Sequence, residues 1–216
     1  MYIYFTDKYE PEPLKLVAIS FLMGIPSFGV NLLLGLPLDR LVSLLDQRPG
    51  SAHVSIHAFG ATAFVEELCK FIFLRAILFR NKNFNEPLDG IIYSVMVAMG
   101  FATAENLLYA YTGGGGAVVM RMFSALPAHA SFAVLMGYML GKAKFARHDA
   151  ILFGVEALAV ATLFHGLYDY FLFRTRVPGI WLGSLICLLV AFFFSKRAVK
   201  IDQDESPFRD DNHPID

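Results

Sequence analysis

Six stretches of about twenty predominantly apolar residues follow one another along this chain, over residues 14–36, 52–79, 88–111, 117–141, 150–173 and 179–195. Each is long enough to cross the hydrocarbon core of a bilayer as a helix. The second is longer than the bilayer requires, so it is expected to tilt or to project beyond it. The fold class that follows is all-α: a polytopic membrane protein, a bundle of about six transmembrane helices joined by short connections. Charged residues make up 17% of the chain, against about a quarter in a soluble domain.

The net charge of -1 leaves no bulk electrostatic case for nucleic acid as a partner. Cys69 and Cys187 both fall in apolar spans and read as small buried apolar residues, with no sign of a disulfide framework. Residues 1–13 lack the basic start and short apolar core of a cleavable signal. The first span is therefore expected to remain as an anchor.

The connections orient the chain. Arg80, Lys82, Lys142, Lys144, Arg147, Lys196, Arg197 and Lys200 fall on the side of the amino terminus. The opposite side has Arg40, Arg48, Arg174 and Arg176. The positive-inside rule then places both termini in the cytoplasm of a cell that holds this protein in its inner or plasma membrane. In the first outer connection, residues 37–50, Leu38, Leu41, Val42 and Leu45 recur at helical spacing, which predicts a short interfacial helix. The run Gly113–Gly116 in the second reads as a hinge; without a Lys-Ser/Thr ending it is no phosphate loop.

Against this apolar background the charged residues stand out. Glu66 and Glu67 are adjacent inside the second span, and Lys70 follows at i+4 and i+3. On a helix both spacings set the ammonium beside a carboxylate, yet two acids and one base leave one acid over. A charge at membrane depth costs roughly 3 kcal/mol or more. A structural ion pair between helices would be the plain explanation of this stretch taken alone. Further polar groups weigh against it: Glu105 and Asn106 in the third span, His129 in the fourth, and His165 with Asp169 one helical turn later in the fifth. Taken singly, a membrane histidine bridges helices more often than it reacts, and Asn106 can simply bond a neighbour. Taken together, carboxylates to activate water and imidazoles to polarise a carbonyl or bind a metal form a set that chemistry can use.

These motifs also carry a resemblance. Asp7-Lys-Tyr-Glu-Pro-Glu-Pro13, Glu66-Glu67-Leu-Cys-Lys70, Phe101-Ala-Thr-Ala-Glu105-Asn106, His129 and His165-Gly-Leu-Tyr-Asp169 occur in this order on consecutive spans. In this the chain resembles the PrsW family of intramembrane proteases, distant relatives of the CAAX prenyl endopeptidases and bacteriocin-processing enzymes. The resemblance implies hydrolysis of a peptide bond in a membrane-anchored protein substrate, and site-1 cleavage of an anti-sigma factor in particular. No soluble domain interrupts the spans, so residues 1–200 are expected as a single integral-membrane protease domain, and 201–216, acidic and without an apolar period, as a disordered cytoplasmic tail.

On this reading Glu66 or Glu67 is the general base, and Lys70 holds the other carboxylate. His129 and His165 stabilise the oxyanion, Asp169 orients His165, Glu105 is a second acid or water ligand, and Asn106 donates to substrate or to a helix. In a metal-dependent variant, zinc is held by His129, His165 and a carboxylate from Glu66, Glu67 or Glu105. The carboxylates outnumber the histidines, and no compact His-x-x-x-His pair lies among these residues, which favours the metal-free form. Two other classes use similar groups: a proton-coupled transporter, disfavoured by the absence of visible broken-helix repeats, and a membrane protein binding haem through His129 and His165.

Overall fold

The computed structural model describes residues 9–45, 51–146, 148–174 and 177–209, and among these it is all-helical, with no strand. Helix α1 covers Leu14–Leu45. A continuous helical run over residues 51–78 follows: α2 (Ser51–Ser55), a π-helical segment (Ile56–Phe64), α3 (Val65–Phe73) and a second π-helical segment (Leu74–Leu78). Then come α4 (Pro87–Phe123), α5 (Ala125–Phe145), α6 (Ala150–Phe173) and α7 (Leu182–Asp204). Among the described residues, five stretches are long and apolar enough to cross a membrane: Leu14–Leu45, Pro87–Gly113, Val119–Phe145, Ala150–Phe173 and Leu182–Asp204. The run over 51–78 was expected as one uniform helix. It stays helical but changes hydrogen-bonding pattern three times, so no single α-helix within it is long enough to span.

Three expected boundaries shift. α1 continues to Leu45 through Pro26 and Pro37, so no separate interfacial helix precedes residue 46. Inside lipid, ending a helix strands several polar groups, whereas a proline forfeits one bond. Residues 46–50, with Arg48, lie outside the described residues, as do Arg147 and Arg176.

The glycine run, expected as a loop, carries helical backbone. A straight helix would separate Glu105 from Arg121 by about 24 Å. Their side chains instead meet at 2.6 Å. The helix therefore folds back on itself between them, and the run Gly113–Gly116 is the stretch that resists bending least. Finally, α7 extends to Asp204, and Asp202 and Ser206 are buried. Residues 201–209, expected in a disordered tail, are thus ordered against the bundle, because Ser206 hydrogen-bonds the Glu86 carboxylate. Residues 210–216 lie outside the described residues.

α4 and α5 form the centre of the bundle. Leu88, Ile91, Ile92 and Val95 of α4 pack with Val134, Met136 and Leu140 of α5. Lipid tails are as apolar as leucine, so the hydrophobic effect does little to hold such helices together, and close backbone approach does more. Gly24 of α1 meets Gly100 of α4, and Gly90 of α4 meets Gly137 of α5; a Cβ at any of the four would collide with the facing helix backbone. The start of α4 is fixed by a reciprocal cap between Glu86 and Asp89, with Pro87 in the first turn. Tyr93 there donates to the Glu12 carboxylate. Glu12 and Ser206, from opposite ends of the described chain, thus both dock at the start of α4.

Candidate active site

The site is a chain of polar contacts threaded between apolar helices. α3 begins directly after the first π-helical segment, and its first turn carries Glu66 and Glu67. Of the nine residues of that segment, Ile56–Phe64, only His57 and Thr62 are polar and none is an acid, lysine or arginine, so the acids follow an apolar stretch. Glu67 is 1% exposed and Lys70 1%.

Lys70 Nζ donates to Glu67 Oε1 at 2.7 Å and stands 4.0 Å from Glu66 Oε2. The same ammonium reaches His129 Nδ1 on α5 at 3.0 Å. On its other side, His129 Nε2 lies 3.1 Å from Glu105 Oε2 on α4. Glu67 Oε1 also receives His165 Nδ1 from α6 at 2.8 Å. His165 Nε2 then faces Asp169 Oδ2 at 3.5 Å and Glu66 Oε2 at 4.0 Å.

Apolar rings shield the set. Phe132 stacks on His165 with ring centroids 5.3 Å apart, and Phe101 lies under the Lys70 ammonium at 4.4 Å. In such a setting charge–charge interactions are stronger than in water, and uncompensated charge is costly. The carboxylates of Glu66, Glu67, Glu105 and Asp169 face only the cations of Lys70 and Arg121 when both imidazoles are neutral. The set is then short of two positive charges.

Two buried oxygens, Glu66 Oε2 and Glu67 Oε2, have no hydrogen-bond partner. One ligand atom each from Glu66, His129 and His165 lies within 4.8 Å of the others. A charge deficit of two, an orphaned carboxylate oxygen and a Glu-His-His donor set fit one divalent cation, and the donors are those zinc favours.

All eight residues singled out from the sequence thus meet in one place. Glu66, Glu67, Lys70, His129, His165, Glu105 and Asp169 are joined as described, and Asn106 joins them through a residue that the sequence reading passed over. Arg121 places one guanidinium nitrogen 2.6 Å from Glu105 Oε2 and donates its Nε to Asn106 Oδ1 at 2.8 Å. A lone arginine in an apolar span is itself a costly charge, and that was the available signal. The other histidine pair, His53 and His57, does have the compact i, i+4 spacing. It lies apart from the cluster, with His57 Nδ1 bonded to Asp39 at 2.7 Å.

Comparison with known proteins gives a concordant result. A family model described as PrsW family intramembrane metalloprotease matches residues 12–196. The chain is 33% identical over 199 residues to Protease PrsW of Geobacillus kaustophilus, covering 92% of this chain and 84% of that protein. It is 32% identical over 201 residues to Protease PrsW of Bacillus subtilis, covering 92% and 88%, and 34% identical over 207 residues to that of Clostridioides difficile, covering 92% and 82%. No solved structure matches it significantly.

Proposed function

The chain belongs to the PrsW family of intramembrane metalloproteases, a multi-pass membrane endopeptidase, and from that premise we propose that Glu66, His129 and His165 hold one divalent cation, zinc by its donor set, while Glu67 handles the protons beside it. The observation that carries this reading is Glu66 Oε2, a buried carboxylate oxygen without a donor, 4.0 Å from the lone-pair side of His165. Two acceptors facing each other in an apolar core call for positive charge between them. Bound there, the cation would polarise the scissile carbonyl and acidify a water. This reverses the preference for metal-free chemistry drawn from residue counts, since the three donors converge although they lie far apart in sequence.

The chain's own residues do the rest. Glu67 Oε1 is tied to Lys70 and His165, so Oε2 is the oxygen left to take a proton from the attacking water and pass it to the leaving amine. Lys70 keeps Glu67 ionised for the first transfer. His165 donates Nδ1–H to Glu67, which turns its Nε2 lone pair toward Glu66. Asp169 Oδ2, 3.5 Å from that nitrogen, adds a second negative charge facing the cation's place, and Asn106 acts through Arg121 on Glu105. Phe101 and Phe132 exclude bulk water from this centre.

The substrate on this reading is a single-span membrane protein, of which an anti-sigma factor is the case the family resemblance suggests, with both termini of the protease in the cytoplasm. The test is cleavage of candidate single-span proteins by the purified chain in detergent, with and without a chelator. Cleavage abolished by the chelator and restored by zinc is expected. Undiminished cleavage by chelated, metal-free protein would exclude the cation.

A further inference from the structure

Arg121 enters the reading above only as a counter-charge and as the link between Asn106 and Glu105, and it reaches the site by an unusual route. It stands on the return leg of α4, after the fold-back, and grips three residues of the outgoing leg. One nitrogen meets Glu105 Oε2 at 2.6 Å, Nε donates to Asn106 Oδ1 at 2.8 Å, and the guanidinium lies 4.0 Å over the Tyr109 ring. Around it the return leg is largely bare of protein contact: Met120 is 72% exposed and Phe123 80%. The polar grip of Arg121 is therefore what ties this leg to the site.

The same Glu105 oxygen that Arg121 holds is the one that His129 Nε2 meets at 3.1 Å. A carboxylate can only accept, so His129 Nε2 must carry the ring proton. Its Nδ1 then carries the lone pair, which accepts from the Lys70 ammonium at 3.0 Å; a cation held by His129 would take that donor's place. Released from Arg121, the Glu105 side chain regains rotamer freedom, and of the two contacts that fix the His129 proton only the Lys70 ammonium at Nδ1 stays held in place.

We propose that Arg121 is a positioning residue of this active site: by clamping Glu105 against His129 Nε2 it acts together with Lys70, at Nδ1, to fix which nitrogen of His129 carries the proton, and so which one is offered to the centre of the cluster. Partners that set the tautomer of a ligating histidine typically govern metal affinity by 10- to 100-fold. The part that concerns metal rests on the cation reading above; the part that concerns the proton does not.

The experiment uses the full chain in detergent micelles, labelled with 15N-histidine, with the His129 signals assigned by their loss in His129→Gln. Wild type is expected to show a protonated Nε2 and a bare Nδ1 at His129. Arg121→Gln should shift these signals toward a mixture of the two forms, Glu105→Gln should do the same, and the double variant should go no further. Arg121→Lys, which keeps the charge but not the two-atom grip, should fall between, and it takes over the reading should Arg121→Gln fail to fold. Titration with zinc should show binding weakened about 10- to 100-fold in Arg121→Gln. A folded Arg121→Gln, or its Lys stand-in, whose His129 signals match wild type overturns the proposal, since a merely structural arginine would lower thermal stability and leave the imidazole unchanged. If wild type binds no zinc, the cation reading falls, and the nitrogen signals still decide the role of Arg121.

Discussion

Glu66 Oε2 and His165 Nε2 face each other across 4.0 Å in the bundle core, and no hydrogen-bond donor meets the carboxylate oxygen. Glu66→Gln keeps the size of this side chain and removes its charge. Zinc uptake by the purified chain should fall at least about 10-fold, as for loss of a neighbouring partner, and cleavage by about 10² to 10⁴. Elemental analysis against protein concentration reads the first. Full zinc occupancy in the variant would remove Glu66 from the ligand set.

Lys70 is the cation on which the buried acids of α3 depend. Lys70→Met leaves Glu67 in an apolar core without its ammonium, and breaking a buried pair from one side costs about 3–5 kcal/mol. Thermal unfolding in detergent should show a clear drop in midpoint, and cleavage should fall with it. A variant as stable and as active as wild type would mean that the pairing contributes nothing.

His165 and Asp169 should separate in severity. His165→Ala removes a ring that bonds Glu67 at 2.8 Å and faces Glu66, so cleavage should become undetectable. Asp169 Oδ2 stands 3.5 Å from His165 Nε2, long for a hydrogen bond, so Asp169→Asn disturbs orientation only. A loss of roughly tenfold is expected, smaller than the loss for a transferring group. Equal loss in initial-rate assays of the two variants would assign Asp169 a direct part in the reaction.

The helix contacts give a test free of chemistry. Gly100→Ala would press a methyl group into the α1 backbone at Phe21, whereas Gly29 and Gly116 have nothing within 4 Å of an added Cβ. Gly100→Ala should destabilise by about 1–3 kcal/mol as an overpacked core does, and Gly29→Ala should be near neutral. Unfolding curves that rank the two the other way would contradict the close approach of α1 and α4.

Orientation can be checked by a reporter fused after Lys200. Activity is expected from a format that works only in the cytoplasm. Strong signal from a periplasmic format would invert the orientation drawn from the basic connections.

Much of this was legible from cost alone. In lipid an acid such as Glu66 or Glu105 cannot be idle surface, so a linear reading finds it, and the apolar lengths mark the spans. What could not be read were features that depend on where the backbone turns. Arg121 lies just past a glycine run and reads as a residue near the end of its span; only the fold-back of α4 brings it to Glu105, sixteen positions earlier. Ser206 reads as part of an acidic tail, and its burial depends on Glu86, far away in sequence. The convergence of Glu66, His129 and His165 was likewise hidden, because spacing along the chain reports one helix at a time.

The π-helical segments on either side of α3 carry a consequence for inheritance. A single-codon deletion within residues 56–64 could relax wide turns into ordinary α-helical ones and leave an apolar, fully helical, membrane-competent segment. Without that relaxation the deletion turns everything beyond it by roughly 100° relative to what came before. Glu66 and Glu67 could then no longer meet His165 while the residues before the deletion stayed in place. In this stretch a change of length is more dangerous than a change of letter, and descendants of this gene can be expected to vary its side chains long before they vary its count.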